Sequence, residues 1–147
     1  MKIIDTQGDL FADLKPGEAI AHGANCQGRM GAGVAKPIRE KFPVNYEVYK
    51  FLCDNRYFNP GDALAVKDGD HTVFNLGTQF QPGADAKLSY IVKAANEMIK
   101  VAEDRGINRI KTVRLGCGIG GLDWDDVRPL LQGVLSPIGF ELEVFYF

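Results

Sequence analysis

Apolar and polar positions along this chain change rhythm repeatedly, from short continuous or alternating runs to stretches with helical spacing. Lys2-Ile-Ile-Asp5 predicts a strand that Gly8-Asp9-Leu10 ends in a turn, and Ala19-Ile-Ala-His22 predicts a second, short and buried. Lys36–Phe42 reads as a helix, with Pro37 tolerated in its first turn and Pro43 closing it. Asn45 is a candidate cap for the next helix, whose Tyr46, Tyr49, Leu52 and Cys53 recur at helical spacing. Asn59-Pro-Gly-Asp62 marks a turn. Ala63–Val66 and His71–Leu76 flank Lys67-Asp-Gly-Asp70 as the arms of a hairpin. Gly77–Ala86 has no period, and its about ten residues exceed the usual ~4–6 of a connection, which points to function. Ala86–Glu103 is the longest predicted helix, with Leu88, Ile91, Val92, Ala95, Ile99 and Ala102 on one stripe and Gly106 ending it. Arg109–Leu115 predicts a strand, and a helix follows from Trp124 or Asp125 to Leu135. Asp123, Asp125 and Asp126 stand at its start, where the dipole favours acids. Glu141–Tyr146 alternates as a last strand.

Strands alternating with helices predict a mixed α/β sheet covered on both faces, within a single domain spanning 1–147. Composition agrees: 46% hydrophobic and 24% charged residues are globular values, and the chain is long enough to bury a core. A net charge of −2, with basic and acidic residues intermixed, argues against a broad nucleic-acid surface. No apolar run approaches the ~20 residues of a membrane span, and Met1-Lys-Ile-Ile-Asp lacks the apolar core of a signal peptide. Cys26, Cys53 and Cys117 form no CxxC pair, and His22 and His71 are the only histidines, so neither a disulfide framework nor a metal site is expected. A cytoplasmic monomer without cofactor is the expectation.

Chemistry concentrates in two glycine-rich stretches. Ala21–Ala35 carries Gly23, Gly28, Gly31 and Gly33 between a strand and a helix, where free amides and the helix dipole can cradle an anion. Gly116-Cys-Gly-Ile-Gly-Gly121 again follows a strand and precedes a helix. In such sheets ligands sit beyond the carboxyl ends of the strands, so two phosphate-compatible loops on one edge suggest a diphosphate. Gly116, Gly118 and Gly121 satisfy G-x-G-x-x-G, yet the chain has one strand left after them, and Leu122-Asp-Trp intrudes before the helix, which rejects a Rossmann unit. Neither loop has the Lys-Ser/Thr of a P-loop, and no G-x-S-x-G exists for Ser-His-Asp chemistry.

Gly8-Asp-Leu-Phe11, Ala21–Ala35 and Arg114-Leu-Gly-Cys-Gly-Ile-Gly-Gly-Leu-Asp-Trp124 together resemble macrodomains, in order and spacing and nearly end to end. The resemblance is to the branch of terminal ADP-ribose protein glycohydrolase, the antitoxins that remove ADP-ribose from DNA, and ADP-ribose 1''-phosphate phosphatase. It implies a three-layer α/β/α fold binding ADP-ribose or an ADP-ribosylated substrate. Carried over, Asp9, Leu10 and Phe11 would line the adenine end, and Phe145 would stack on the base or serve as a core residue of its strand. Arg29, Met30, Gly31, Ala32, Gly33 and Val34 would wrap the diphosphate and distal ribose from one side, and Gly116, Cys117, Gly118, Ile119, Gly120 and Gly121 would supply amides from the other. Thr78 and Gln79 join the expected ligand contacts. Asn25 falls beside the distal ribose, and His22 next to it is either a catalytic or a structural histidine.

The glycohydrolase branch uses a lysine after the hairpin and, in protein-directed members, an aspartate in the second glycine loop. Here those positions hold Gln79 and Gly120, which do neither nucleophilic nor acid–base work. Asp85 and Lys87 in the same loop are candidate substitutes. Two routes to hydrolysis at the distal 1'' carbon are then expected: Asn25 and His22 positioning a water, or the bound diphosphate orienting it. A reader that binds ADP-ribose without turnover is the alternative.

Overall fold

A computed structural model describes the whole chain, Met1–Phe147. The elements run β1 (Lys2–Gln7), α1 (Leu10–Asp13), β2 (Ala19–Ala24), α2 (Ala35–Lys41), α3 (Pro43–Asp54), β3 (Ala63–Asp68), β4 (His71–Gly77), α4 (Leu88–Asp104), β5 (Arg109–Val113), α5 (Trp124–Gln132) and β6 (Glu141–Tyr146). Six strands form one sheet in the order β1-β6-β5-β2-β4-β3, parallel except for the hairpin strand β3 at one edge. This is the mixed α/β architecture with helices on both faces. No helix is long and apolar enough to cross a membrane.

Side chains alternate across a strand, so each central strand feeds two cores. Ala19 and Ala21 of β2 and Phe74 and Leu76 of β4 point to the face covered by α4 and α5, where Ile91, Ala95, Met98, Val127 and Leu131 pack. Ile20 and Val73 point to the other face, against Ile38, Phe42 and Tyr49 of the α2–α3 segment. Burial on both sides explains why the start of β2 reads as a continuous apolar run rather than as alternation.

Four local expectations change. Asp9 does not sit in a simple turn: its carboxylate accepts from the Phe11 amide and caps α1. Asn45 does not cap α3, which begins at Pro43 with Phe42 before it; Asn45 lies inside the helix, fully buried. Proline at the first helical position lacks the amide that a cap would satisfy, so the start moves forward. The last helix stops at Gln132 rather than Leu135, with Gly133 at its C-cap. Along α4 the buried stripe adds Ala94 and Met98 and leaves Val92 partly exposed.

Below β2 lies a sealed polar knot. His22 Nε2 meets Asn75 Oδ1 at 2.7 Å, and Asn45 Nδ2 donates to the same oxygen at 3.0 Å. Asn75 Nδ2 donates back to Asn45 Oδ1 and to the Leu64 carbonyl. Because Asn75 Oδ1 only accepts, His22 carries its proton on Nε2. The knot ties α3 to β2, β3 and β4 directly behind the first glycine loop.

Candidate ligand-binding cleft

Five parallel strands end on one edge of the sheet, and the chain leaves four of them, β6, β5, β2 and β4, into the walls of a single cleft of about 1000 Å³. Neighbouring strands stand ~4.8 Å apart, so the span from β6 to β4 is about 14 Å. Phe145 and Tyr146 mark the β6 end, Gly116–Gly121 follow β5, Asn25–Ala35 follow β2, and Thr78 and Gln79 follow β4.

The first glycine loop is built by side chains. Asn25 Oδ1 accepts from the amides of Gln27 and Arg29 and from the Tyr49 hydroxyl, while its Nδ2 donates to the Arg29 carbonyl at 2.7 Å. Tyr49 also donates to the Asn25 carbonyl, and Tyr46 to that of Gly28. Cys26 is buried beneath the loop; burial pushes its thiol up to about 12, which makes it inert at neutral pH. Gly33 takes φ +60° immediately before α2, a conformation that favours glycine.

The second loop is built by the glycines themselves. Gly116 turns at φ +74°, and a Cβ there would stand 2.7 Å from Ile91 Cδ1. At Gly120 a Cβ would meet the Gly116 carbonyl oxygen at 2.7 Å, Ala86 Cβ at 2.9 Å and Gln79 Oε1 at 3.1 Å. A side chain at Gly120 would therefore require the loop to shift. Burial raises the Cys117 thiol to about 11. The loops meet across the cleft where Ile119 approaches Gly33.

The amides of Gly31, Ala32, Gly33 and Val34 on one wall, and of Gly118, Ile119 and Gly120 on the other, make no hydrogen bond within the protein. Seven amides without a partner, all in residues that line one cleft, suit an anionic ligand. The charged side chains on the walls are Arg29, Arg114 and Asp123; Arg29 and Arg114 are in no ion pair. No three His, Cys, Asp or Glu side chains converge anywhere as metal ligands would.

Several expected contacts fall elsewhere. Leu10 and Met30 are core residues, Asp9 is engaged in its cap, and the Phe11 ring lies under Lys41; none lines the cleft. His22 is fully buried in the polar knot and does not reach the cleft. Burial drops its pKa to about 4, against the opposing pull of Asn75 and the Gly23 backbone, so it is neutral at physiological pH. Asp85 accepts from the amides of Gln81 and Phe80, of which Gln81 does most to hold its carboxyl below the usual range. The Lys87 ammonium lies 5.4 Å from the Tyr90 ring centroid, and neither Asp85 nor Lys87 lines the cleft. Asn25, Arg29, Gly31–Val34, Thr78, Gln79, Gly116–Gly121 and Phe145 do line it.

Arg114 and Tyr146, absent from the expected ligand contacts, also line the cleft. The Arg114 guanidinium stacks 4.5 Å from the Tyr146 ring and 5.9 Å from that of Trp124, forming a flat wall at the β6 end. The available signal was position: Arg114 is the first residue past β5, and Tyr146 the last of β6. Phe145 is a core residue whose ring also forms part of the cleft wall.

Opposed loops of free amides on the carboxyl edge of a covered parallel sheet define an α/β/α domain with a cleft suited to an anionic ligand. Within that class the chain belongs to the Macro domain family, whose profile matches residues 21–131. The DNA ADP-ribosyl glycohydrolase of Mycobacterium tuberculosis is 31% identical over 136 residues, covering 89% of this chain and 38% of that protein, so the chain spans well under half its length. The ADP-ribose 1''-phosphate phosphatase of Aspergillus oryzae is 26% identical over 190 aligned positions, covering 97% of this chain and 92% of that one. Among solved structures, the macrodomain of Mycobacterium tuberculosis DarG superposes with a TM-score of 0.85 at 29% identity, covering 98% and 96% of the two chains.

Proposed function

We propose that this macro domain binds ADP-ribose in the cleft and hydrolyses the bond at the 1'' carbon of the distal ribose, releasing a carboxylate or phosphate. The observation that carries the reading is the pair of free-amide loops facing each other at mid-span, with aromatic rings at one end and Asn25, Thr78 and Gln79 at the other. Adenine is assigned to the Phe145 and Tyr146 end, the diphosphate to the amides, and the distal ribose to the Asn25 end. The named activities of the two relatives, on ADP-ribosyl DNA and on ADP-ribose 1''-phosphate, support the same ligand.

At the distal end Asn25 and Gln79 do not titrate, the Cys26 thiol stays protonated, and His22 is sealed away. Acid–base work therefore falls to the substrate. A diphosphate oxygen orients the attacking water, the water oxygen bonds to C1'', and the C1''–O pair leaves with the carboxylate or phosphate. The surplus water proton passes to solvent. Amides of the second loop hold the diphosphate in place without reorganising. The same lack of a titrating group favours a second reading, a binder of ADP-ribosylated partners without turnover.

Calorimetry with ADP-ribose tests the ligand, and saturable binding below high micromolar concentration is expected. Turnover is tested by chromatography after incubation with ADP-ribose 1''-phosphate, a carboxyl-linked ADP-ribosylated peptide, and ADP-ribosylated DNA. Release of ADP-ribose from the first or second supports the hydrolase. Binding with no release from any of the three selects the reader.

A further inference from the structure

Gln79 stands two residues past β4, 8% exposed, on the cleft wall farthest from Phe145. Both hydrogens of its amide nitrogen are engaged: Nε2 donates to the Gln81 carbonyl at 2.6 Å and to the Gly83 carbonyl at 2.8 Å. Carbonyls only accept, so the amide cannot be reversed. Oε1 is thereby fixed on the opposite side, toward Gly120, at 3.1 Å from where a Cβ on that glycine would stand. It has no partner in the protein, and the one sealed side-chain atom lacking a partner is His22 Nδ1, so Gln79 Oε1 is open to the cleft.

A neutral, immobile acceptor repels phosphate oxygens and attracts a hydroxyl. Gln79 follows β4, three strands from β6, and its Oε1 lies where that wall meets Gly120, on the side of the cleft where the ligand carries its second sugar if adenine lies against Phe145 and Tyr146. On the neighbouring loop Asn25 Oδ1 is fully engaged and Nδ2 retains one free hydrogen. Two amides on the cleft wall thus leave one donor and one acceptor unused by the protein.

We propose that Gln79 is a specificity residue: its Oε1 accepts a hydrogen bond from a hydroxyl of the distal ribose, and so selects ADP-ribose over ADP. The inference rests on the ADP-ribose reading above and gives a function to the residue standing where related glycohydrolases carry their lysine.

The test is calorimetric, with ADP-ribose and ADP titrated into the unsubstituted protein, Gln79→Ala and Asp85→Ala. Asp85 braces the same loop through the Phe80 and Gln81 amides without reaching the cleft, so its removal reports what loop looseness alone does. The expected result is that Gln79→Ala weakens ADP-ribose about tenfold and leaves ADP within about twofold, while Asp85→Ala preserves the ratio of the two affinities. Equal weakening of both ligands by Gln79→Ala overturns the proposal, as does an equal change of the ratio in Asp85→Ala. If the unsubstituted protein binds ADP-ribose no better than ADP, the selectivity fails while the nucleotide site stands. If it binds neither, the ADP-ribose reading falls with it.

Discussion

The two glycine loops do the same job by opposite means. The loop after β2 is held in shape by side chains from elsewhere, chiefly Tyr49 and Tyr46 of α3 acting on Asn25 and Gly28. The loop after β5 has almost no such support and takes its shape from glycines that tolerate positive φ and close contact. The first loop is therefore coupled to the core, and the second is coupled to its own backbone. Damage to the first should lower stability and affinity together; damage to the second should lower affinity with little effect on melting.

The sharpest division is expected from Gly120→Asp. Its Cβ would overlap the Gly116 carbonyl and Ala86, so the loop must move. ADP-ribose affinity should fall at least about a hundredfold, ~3 kcal/mol, with the melting temperature within a few degrees of the parent. A large loss of stability would show that the second loop is as core-coupled as the first.

Acid comes next. Burial brings the His22 pKa to about 4, against an ordinary 6.5, so the folded state prefers the neutral ring. That contribution is complete above about pH 6.5 and is lost as pH falls through 4, because the unfolded chain takes up the proton first. Stability should decline by about 3 kcal/mol across that window, measured by urea unfolding. His22→Gln should flatten the decline, and an unchanged slope would refute the assignment.

Tyr49→Phe removes the donor to two acceptors on Asn25 and should destabilise by about 1–3 kcal/mol, with a parallel loss of affinity. A drop in affinity without a drop in melting temperature would erase the contrast between the loops. Cys117→Ala, at a half-buried thiol whose one hydrogen bond is to the Leu115 carbonyl and which packs on the edge of the core, should change stability by no more than about 1 kcal/mol.

What could be read in advance follows the same division. Gly116–Gly121 was legible because glycine identity reports local backbone geometry directly. Strand β2 was legible because burial on both faces leaves an apolar run, β4 because it forms the arm of a hairpin, and β6 because its residues alternate. Asn45 and Tyr49 were not, because their roles depend on Asn75, thirty positions away, and on Asn25. A polar residue near a helix start looks like a cap until its long-range partner is known. His22 was ambiguous for a related reason: whether a strand-end side chain faces cleft or core depends on register, and β2 runs two residues further than its apolar core suggests. Leu10 and Met30 sit inside binding-type motifs yet serve packing, which a motif cannot distinguish from contact.

The position of β6 governs how the protein comes into being. It inserts between β1 and β5, pairing Lys2 with Glu141 and Arg109 with that same residue, so the first strand has no neighbour until the last has emerged. Contacts of such sequence separation form slowly. A nascent chain therefore holds a hairpin, the central strands and both glycine loops before it has the β6 end of its cleft. The Phe145–Tyr146 end of the cleft thus depends on the docking of β6, and a ligand that needs this end senses the folded sheet rather than its parts.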